Sequence, residues 1–317
     1  MDIDRRAFLA LGAALGAATA ARAQAPPAAM PAPAKAKITS AVMLWPLEGT
    51  FEDKVRAAAE AGLQSVGLAD EYTRWDAAGL LRAKRFIESF GMSVETVGAN
   101  PNWNTRPVSL VNSAEREGFL TELRAAIAAA KKLEAPYVVV VSGKEVPGQS
   151  RDEQYASLLE GTKRAGDLAA AAEVTLLVEP VSNQVERKRA IPSTFAEGLK
   201  LVKAVDSPHV RLLCSVFEEQ AEVGNASGLR EALEYASVVT VANAPGRTEP
   251  GTGLIDFKEV YKALQKAGYS HTVAMEYTPK GRTVASLKRA VDEFRVAVNE
   301  RGASAVNPLN PTEGPFV

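Results

Sequence analysis

From Ile38 onward, short apolar runs rich in β-branched residues alternate with longer amphipathic segments, and the alternation occurs eight times. The run 38–44 (ITSAVML) precedes a helix predicted over 51–62 that stops at Gly62, and 64–69 (QSVGLA) precedes one over 76–90. The run 93–99 (SVETVGA) leads through a polar loop to a helix from Ser113, read as its cap, to Leu133. The run 136–143 (PYVVVVSG) has the unbroken apolar character of a strand covered on both faces, and a helix over 152–172 follows. The remaining strands are 174–180, 209–216, 238–244 and 271–277, with helices near 194–205, 226–236, 256–267 and 283–299.

Strand–helix alternation with short connections calls for a parallel sheet, and eight units argue for closure into a (β/α)8 TIM barrel, an α/β fold, over 38–300. An open doubly wound sheet is the rival, but no Gly-rich nucleotide fingerprint opens any of these helices. The tail 301–317, rich in Pro and Asn, reads as an extended segment.

With 317 residues, 46% hydrophobic and 24% charged, the chain can bury a large core. A net charge of −1 creates no overall field for nucleic acid or an anionic membrane. The single cysteine, Cys214, excludes an intramolecular disulfide and sits in an apolar run as a small buried hydrophobe. Residues 1–24 read as an export signal: a charged start with Arg5-Arg6, then an Ala/Leu/Gly-rich stretch too short for a good spanning helix. The Arg pair resembles a twin-arginine signal, so a periplasmic protein without stable membrane insertion is expected. Residues 25–37 form a Pro/Ala-rich leader.

Barrel active sites lie at the C-terminal ends of the strands. There Glu179 closes TLLVE and Glu276 closes VAME, each a carboxylate ending an otherwise apolar strand. Such a group is costly to bury without a partner or a role, and strands five and eight face each other across a small barrel. Arg247 offers positive charge to a substrate, or else a loop-fixing ion pair with Glu249 or Asp256. Asn183, Asn243 and Asn100 are candidates for sugar hydroxyls, and Trp45 and Trp103 for an apolar wall. His209 and His271 stand at strand starts, on the face that serves stability.

The segments LLVEPVSN, ANAPGRTEPGTGLIDF and GYSHTVAMEYTP resemble those of hydroxypyruvate isomerase and its relatives in the xylose-isomerase-like superfamily of sugar isomerases and epimerases. The resemblance runs from Ile38 to about Asn299. It implies a TIM barrel and a small-molecule carbohydrate substrate, and it suggests homo-oligomers. It also implies a divalent metal, Mg²⁺ or Mn²⁺, held by Glu, Asp, His or Gln, and Glu at the ends of strands five to eight. The two glutamates, here Glu179 and Glu276, would hold the metal and pass a proton through an enediolate.

Two of the four positions depart from that pattern. Ser215 stands where the family has Asp, Thr240 occupies the strand-seven position, and Glu218 falls where the family segment has His. Glu218 and Glu219 are expected either as replacement ligands or substrate contacts, or as solvated charges at a helix entry. A degenerate metal site and a metal-free one both remain open. So do three functions: a sugar or keto-sugar isomerase or epimerase, a lyase or hydratase acting on oxidised sugars, and a non-catalytic carbohydrate-binding barrel.

Overall fold

A computed structural model describes residues 38–185 and 189–299; the expected signal, leader and C-terminal tail lie outside these residues. The strands are β1 (Thr39–Met43), β2 (Ser65–Leu68), β3 (Ser93–Gly98), β4 (Tyr137–Val140), β5 (Thr175–Val178), β6 (Val210–Ser215), β7 (Ala236–Val241) and β8 (Thr272–Met275). They form a closed barrel in chain order, and β8 returns to pair in parallel with β1. The helices outside it are α1 (Phe51–Glu60), α2 (Ala77–Glu88), α3 (Arg116–Leu133), α4 (Arg151–Ala171), α5 (Phe195–Val205), α6 (Val216–Val223), α7 (Leu229–Ala232), α8 (Phe257–Lys266) and α9 (Thr283–Asn299).

Two cores follow from the two faces of each strand. The larger lies between strands and helices, where residues such as Val66, Val138 and Leu212 are sealed from solvent. The smaller fills the barrel: Ala41, Met43, Val139, Leu177, Leu213, Val238 and Ala274. Side chains along a strand alternate between faces. Two residues beyond members of this inner layer therefore come Trp45, Val141, Glu179, Ser215, Thr240 and Glu276, on the inward side at the C-terminal mouth. The ladder carries on to the glutamates themselves, since Glu179 N–H donates to Val140 O and Glu276 N–H to Val241 O, both at 3.0 Å. Their backbones are thus fixed by sheet rather than by loop.

The opposite end is plugged by polar contacts. Thr272 Oγ1 donates to Glu95 Oε1 at 2.5 Å, and Arg211 Nε donates to Ser237 Oγ at 2.9 Å. His209 and His271 stand at this end, before β6 and β8, and the ring of His209 bonds Val174 O at 2.8 Å.

Two helix assignments need correction. Ser113 does not cap α3: the Asn112 side chain accepts from Ala114 N–H, a short 3₁₀ turn follows, and α3 starts at Arg116. The single helix expected near 226–236 is instead two. α6 begins directly after β6, with Ser215 as its N-cap, and stops at Gly224, whose φ of +76° only glycine adopts without strain. The short α7 then precedes a β7 that starts at Ala236, two residues before the predicted strand.

Candidate active site

The acidic run after β6 is structural before it is anything else. Glu218, Glu219 and Glu222 of α6 reach across to the segment that follows β5. Ser182 N–H donates to Glu218 Oε2 at 2.9 Å, Phe195 N–H to Glu219 Oε2 at 2.7 Å, and Asn183 N–H to Glu222 Oε2 at 2.7 Å. Glu218 and Glu219 are both buried, which corrects the expectation of solvated charges. Burial pushes the Glu219 carboxyl above its ordinary range; the Phe195 N–H opposes that shift and Glu222 adds to it.

Arg247 links this anchor to strand eight. Its Nη2 contacts Glu218 Oε1, and its Nη1 stands 3.1 Å from Glu276 Oε2 as an ion pair. The guanidinium lies 4.3 Å from the ring centre of Phe217 and 5.3 Å from that of Trp45, within cation–π range. Trp45 Nε1 donates to Glu276 Oε1 at 3.0 Å, so both oxygens of Glu276 meet donors or positive charge. Burial works against the charge of Arg247, but Glu276, Glu218 and Glu179 together hold it protonated, above the usual arginine range.

A clip at the base of the loop aims this arginine. Asn243 Oδ1 accepts from Ala244 N–H and Ile255 N–H, both at 3.0 Å, joining the two ends of the segment. Gly253 passes so close that a Cβ there would sit 2.4 Å from Ala244 O. Arg247 itself takes φ +48°, and its carbonyl accepts from Thr278 N–H at 2.9 Å.

The result is a cavity of about 1060 Å³ at the barrel mouth. Glu179, Glu218, Arg247 and Glu276 supply its charged lining, Trp45, Trp103 and Phe217 its aromatic walls, and Leu254, 77% exposed, stands on its edge. Of the residues singled out from sequence, Glu179, Glu276, Glu218, Arg247, Trp45 and Trp103 meet here. Asn183, Asn243 and Asn100 do not line it. Asn183 brackets Ala190, accepting from its N–H at 2.5 Å and donating to its O at 3.2 Å, and Asn100 Nδ2 donates to Val141 O at 2.7 Å. A buried amide can satisfy backbone groups that irregular segments leave unpaired, and all three asparagines are used that way. The loop-fixing ion pair of Arg247 with Glu249 or Asp256 does not form: Arg247 pairs with Glu218 and Glu276, and Asp256 caps α8. Phe217 and Leu254 escaped sequence reasoning; the only signal was an apolar residue in a polar or Gly-rich run.

Glu249 has its own task. It accepts from Lys280 N–H at 2.8 Å and Ser286 Oγ at 2.9 Å, tying the Arg247 loop to α9 and the turn before it. Burial opposes ionisation of Glu249, but these donors, with Arg289, outweigh it and hold its carboxyl below the ordinary 4.5. A depressed folded value means stability that is present above the unfolded value and lost as pH falls through the folded one. Glu249→Gln should therefore cost about 1–3 kcal/mol at pH 7, with the gap to wild type narrowing below pH 4.5. Denaturant titrations at neutral and acidic pH check this; a gap independent of pH would contradict it.

The metal expected from the family pattern meets a poor donor set. The Ser215 hydroxyl caps α6, and Thr240 Oγ1 is sealed in without a hydrogen-bond partner. Neutral hydroxyls are weak ligands for a hard divalent cation. Arg247 already brings a fixed positive charge to Glu276. Among the described residues, no group of three His, Cys, Asp or Glu side chains is arranged to hold an ion. The residues present do not fit Mg²⁺ or Mn²⁺.

Residues 55–296 match the family model described as "Xylose isomerase-like TIM barrel". A 2-oxo-tetronate isomerase of Haemophilus influenzae is 27% identical over 245 residues, covering 76% of this chain and 92% of that protein. The hydroxypyruvate isomerase of Escherichia coli is 26% identical over 191 residues, 60% of this chain and 73% of its own. Among solved structures, an L-ribulose 3-epimerase superposes with a TM-score of 0.72 at 18% identity, covering 86% of this chain and all of the other, a likeness of fold. Among the described residues, no helix is long and apolar enough to cross a membrane.

Proposed function

The chain belongs to the xylose isomerase-like TIM barrel family, and on that premise we propose that it isomerises or epimerises an α-hydroxy-ketone sugar by proton transfer between Glu179 and Glu276. That it is an isomerase follows from its likeness to curated isomerases over most of their length. The mechanism rests on one observation: glutamates from strands five and eight line a single cavity whose guanidinium, Arg247, touches one of them.

One carboxylate takes the proton from the carbon that bears the hydroxyl, and the electron pair moves onto the carbonyl oxygen as an enediolate. Return of a proton to the neighbouring carbon, with the hydroxyl proton passing to the former carbonyl oxygen, gives the isomer; return to the opposite face of the same carbon gives the epimer. Negative charge builds on an oxygen beside Arg247, which supplies fixed positive charge in a partly water-excluded site. Trp45 holds Glu276 in place through its indole N–H. The names of the curated relatives, 2-oxo-tetronate isomerase and hydroxypyruvate isomerase, fit a reaction of this kind. The expected export signal with its Arg5-Arg6 pair extends the proposal to work in the periplasm.

A second reading, a carbohydrate-binding barrel without turnover, draws on the same contacts, because Glu276 is engaged on both oxygens. Proton NMR in D₂O separates the two. Purified protein should wash deuterium into the carbon next to the ketone of D-fructose or hydroxypyruvate, equally with EDTA or with added Mn²⁺. Ligand binding without exchange selects the binding protein. Exchange that needs Mn²⁺ would return a metal to the mechanism.

A further inference from the structure

The proposed reaction needs Arg247 to stand still while charge develops beside it, and two carboxylates alone do not ensure that. Glu218 and Glu276 meet the guanidinium at its Nη tips. Contacts at the tips leave its plane free to tilt about the line that joins them. Such a tilt carries the charge away from a substrate oxygen without breaking either ion pair. What restrains it is a contact against the flat face, which water solvates weakly and aromatic rings accept well.

Phe217 supplies that contact. The guanidinium carbon of Arg247 lies over its ring, 4.3 Å from the centroid, with Trp45 a more distant neighbour at 5.3 Å. Phe217 is 5% exposed and so offers a largely dry face, whereas Trp45 is 45% exposed and has its indole N–H committed to Glu276. Regular structure brings Phe217 there. β6 passes directly into α6, Ser215 caps the helix by accepting from Glu218 N–H, and Phe217 and Glu218 stand side by side in its first turn. One helical turn thus gives the guanidinium a ring for its face and a carboxylate for its Nη2. Glu218 Oε2 accepts from Ser182 N–H at 2.9 Å, which fastens the same turn to the segment that follows Glu179. The serine that stands where the family pattern has a metal ligand is, in this chain, the cap of the helix that seats an arginine.

We propose that Phe217 is a positioning residue for Arg247: the π face of its ring, rather than its bulk, fixes the plane of the guanidinium. The consequence for catalysis rests on the proton-transfer reading; the hold on the guanidinium does not, and it has a readout of its own.

The test replaces Phe217 in the full chain by mono-, di- and trifluorinated phenylalanine, which keep the ring's shape and weaken its negative face stepwise. Arginine ¹⁵N NMR reads the guanidinium, with the Arg247 signals identified by their loss in Arg247→Lys. In the wild type the two Nη signals of Arg247 should be separate, because rotation about Cζ–Nε is slow, and they should merge along the series. Deuterium exchange should slow in the same order, by about tenfold in the trifluorinated protein, with KM within about twofold of wild type. Phe217→Leu, which keeps an apolar body without a π face, should do at least as much. Nη signals already merged in the wild type, or indifferent to fluorine, would overturn the assignment. So would deuterium exchange that proceeds at the wild-type rate across the series. Signals that respond to fluorine while no protein, wild type included, exchanges deuterium would uphold the seat and sink the proton transfer instead.

Discussion

Replacing Glu179 by Gln should lower deuterium exchange and turnover about 10²–10⁴-fold while the barrel stays folded. The amide keeps the shape and the hydrogen-bonding reach of the carboxylate but cannot accept the substrate proton. Because Glu179 is only half-buried and its backbone is fixed by the ladder to Val140, the substitution leaves the sheet untouched. Circular dichroism should match wild type. Exchange at the wild-type rate in this variant would remove Glu179 from the mechanism. Glu276→Gln should fall as far in activity and also lose stability, since it weakens the contact with Arg247 as well.

Arg247→Ala should have the largest effect on stability, about 3–5 kcal/mol at neutral pH. The cost does not come from losing an attractive pair, which burial makes nearly neutral. It comes from leaving Glu218 and Glu276, both almost fully buried, facing each other without their cation. Adding Glu218→Gln to Arg247→Ala should recover part of the loss, because it removes one of the two buried carboxylates that shared the guanidinium. Arg247→Lys should retain more stability than the alanine variant yet little activity, since an ammonium cannot bridge two carboxylates as a planar fork does. Urea titrations of the four proteins check the series. A double variant no more stable than Arg247→Ala would show that the pairing with Glu218 is not what the arginine is for.

The barrel was legible in the sequence because each unit carries its own signal: a β-branched run, a helix with caps, and a short connection. Glu179 and Glu276 could be placed at one mouth because each closes an apolar strand at its C-terminal end and strands five and eight face each other across a small barrel. What lay hidden were contacts that no local pattern encodes. Nothing near Arg247 in the chain announces Glu218, 29 residues away, and nothing near Trp45 announces Glu276, 231 residues away. Local pairing with Glu249 was the natural reading of PGRTEP, and it failed because Lys280 and Ser286 claim that carboxylate. The asparagines misled for a related reason. Their residue type suits a sugar hydroxyl and an unpaired backbone amide equally well, and only the fold decides between them. The acidic pair after Cys214 stayed open between ligands and solvated charges for the same reason, because its partners sit on another segment.

Because Asn243 draws both ends of the 243–255 segment together through one side-chain oxygen, that segment behaves as an interchangeable cassette seated on a finished barrel. Exchanging it would carry the guanidinium and Leu254 in or out together, and would have to replace the ties that Arg247 makes to Glu218 and Glu276 and that Glu249 makes to Lys280 and Ser286.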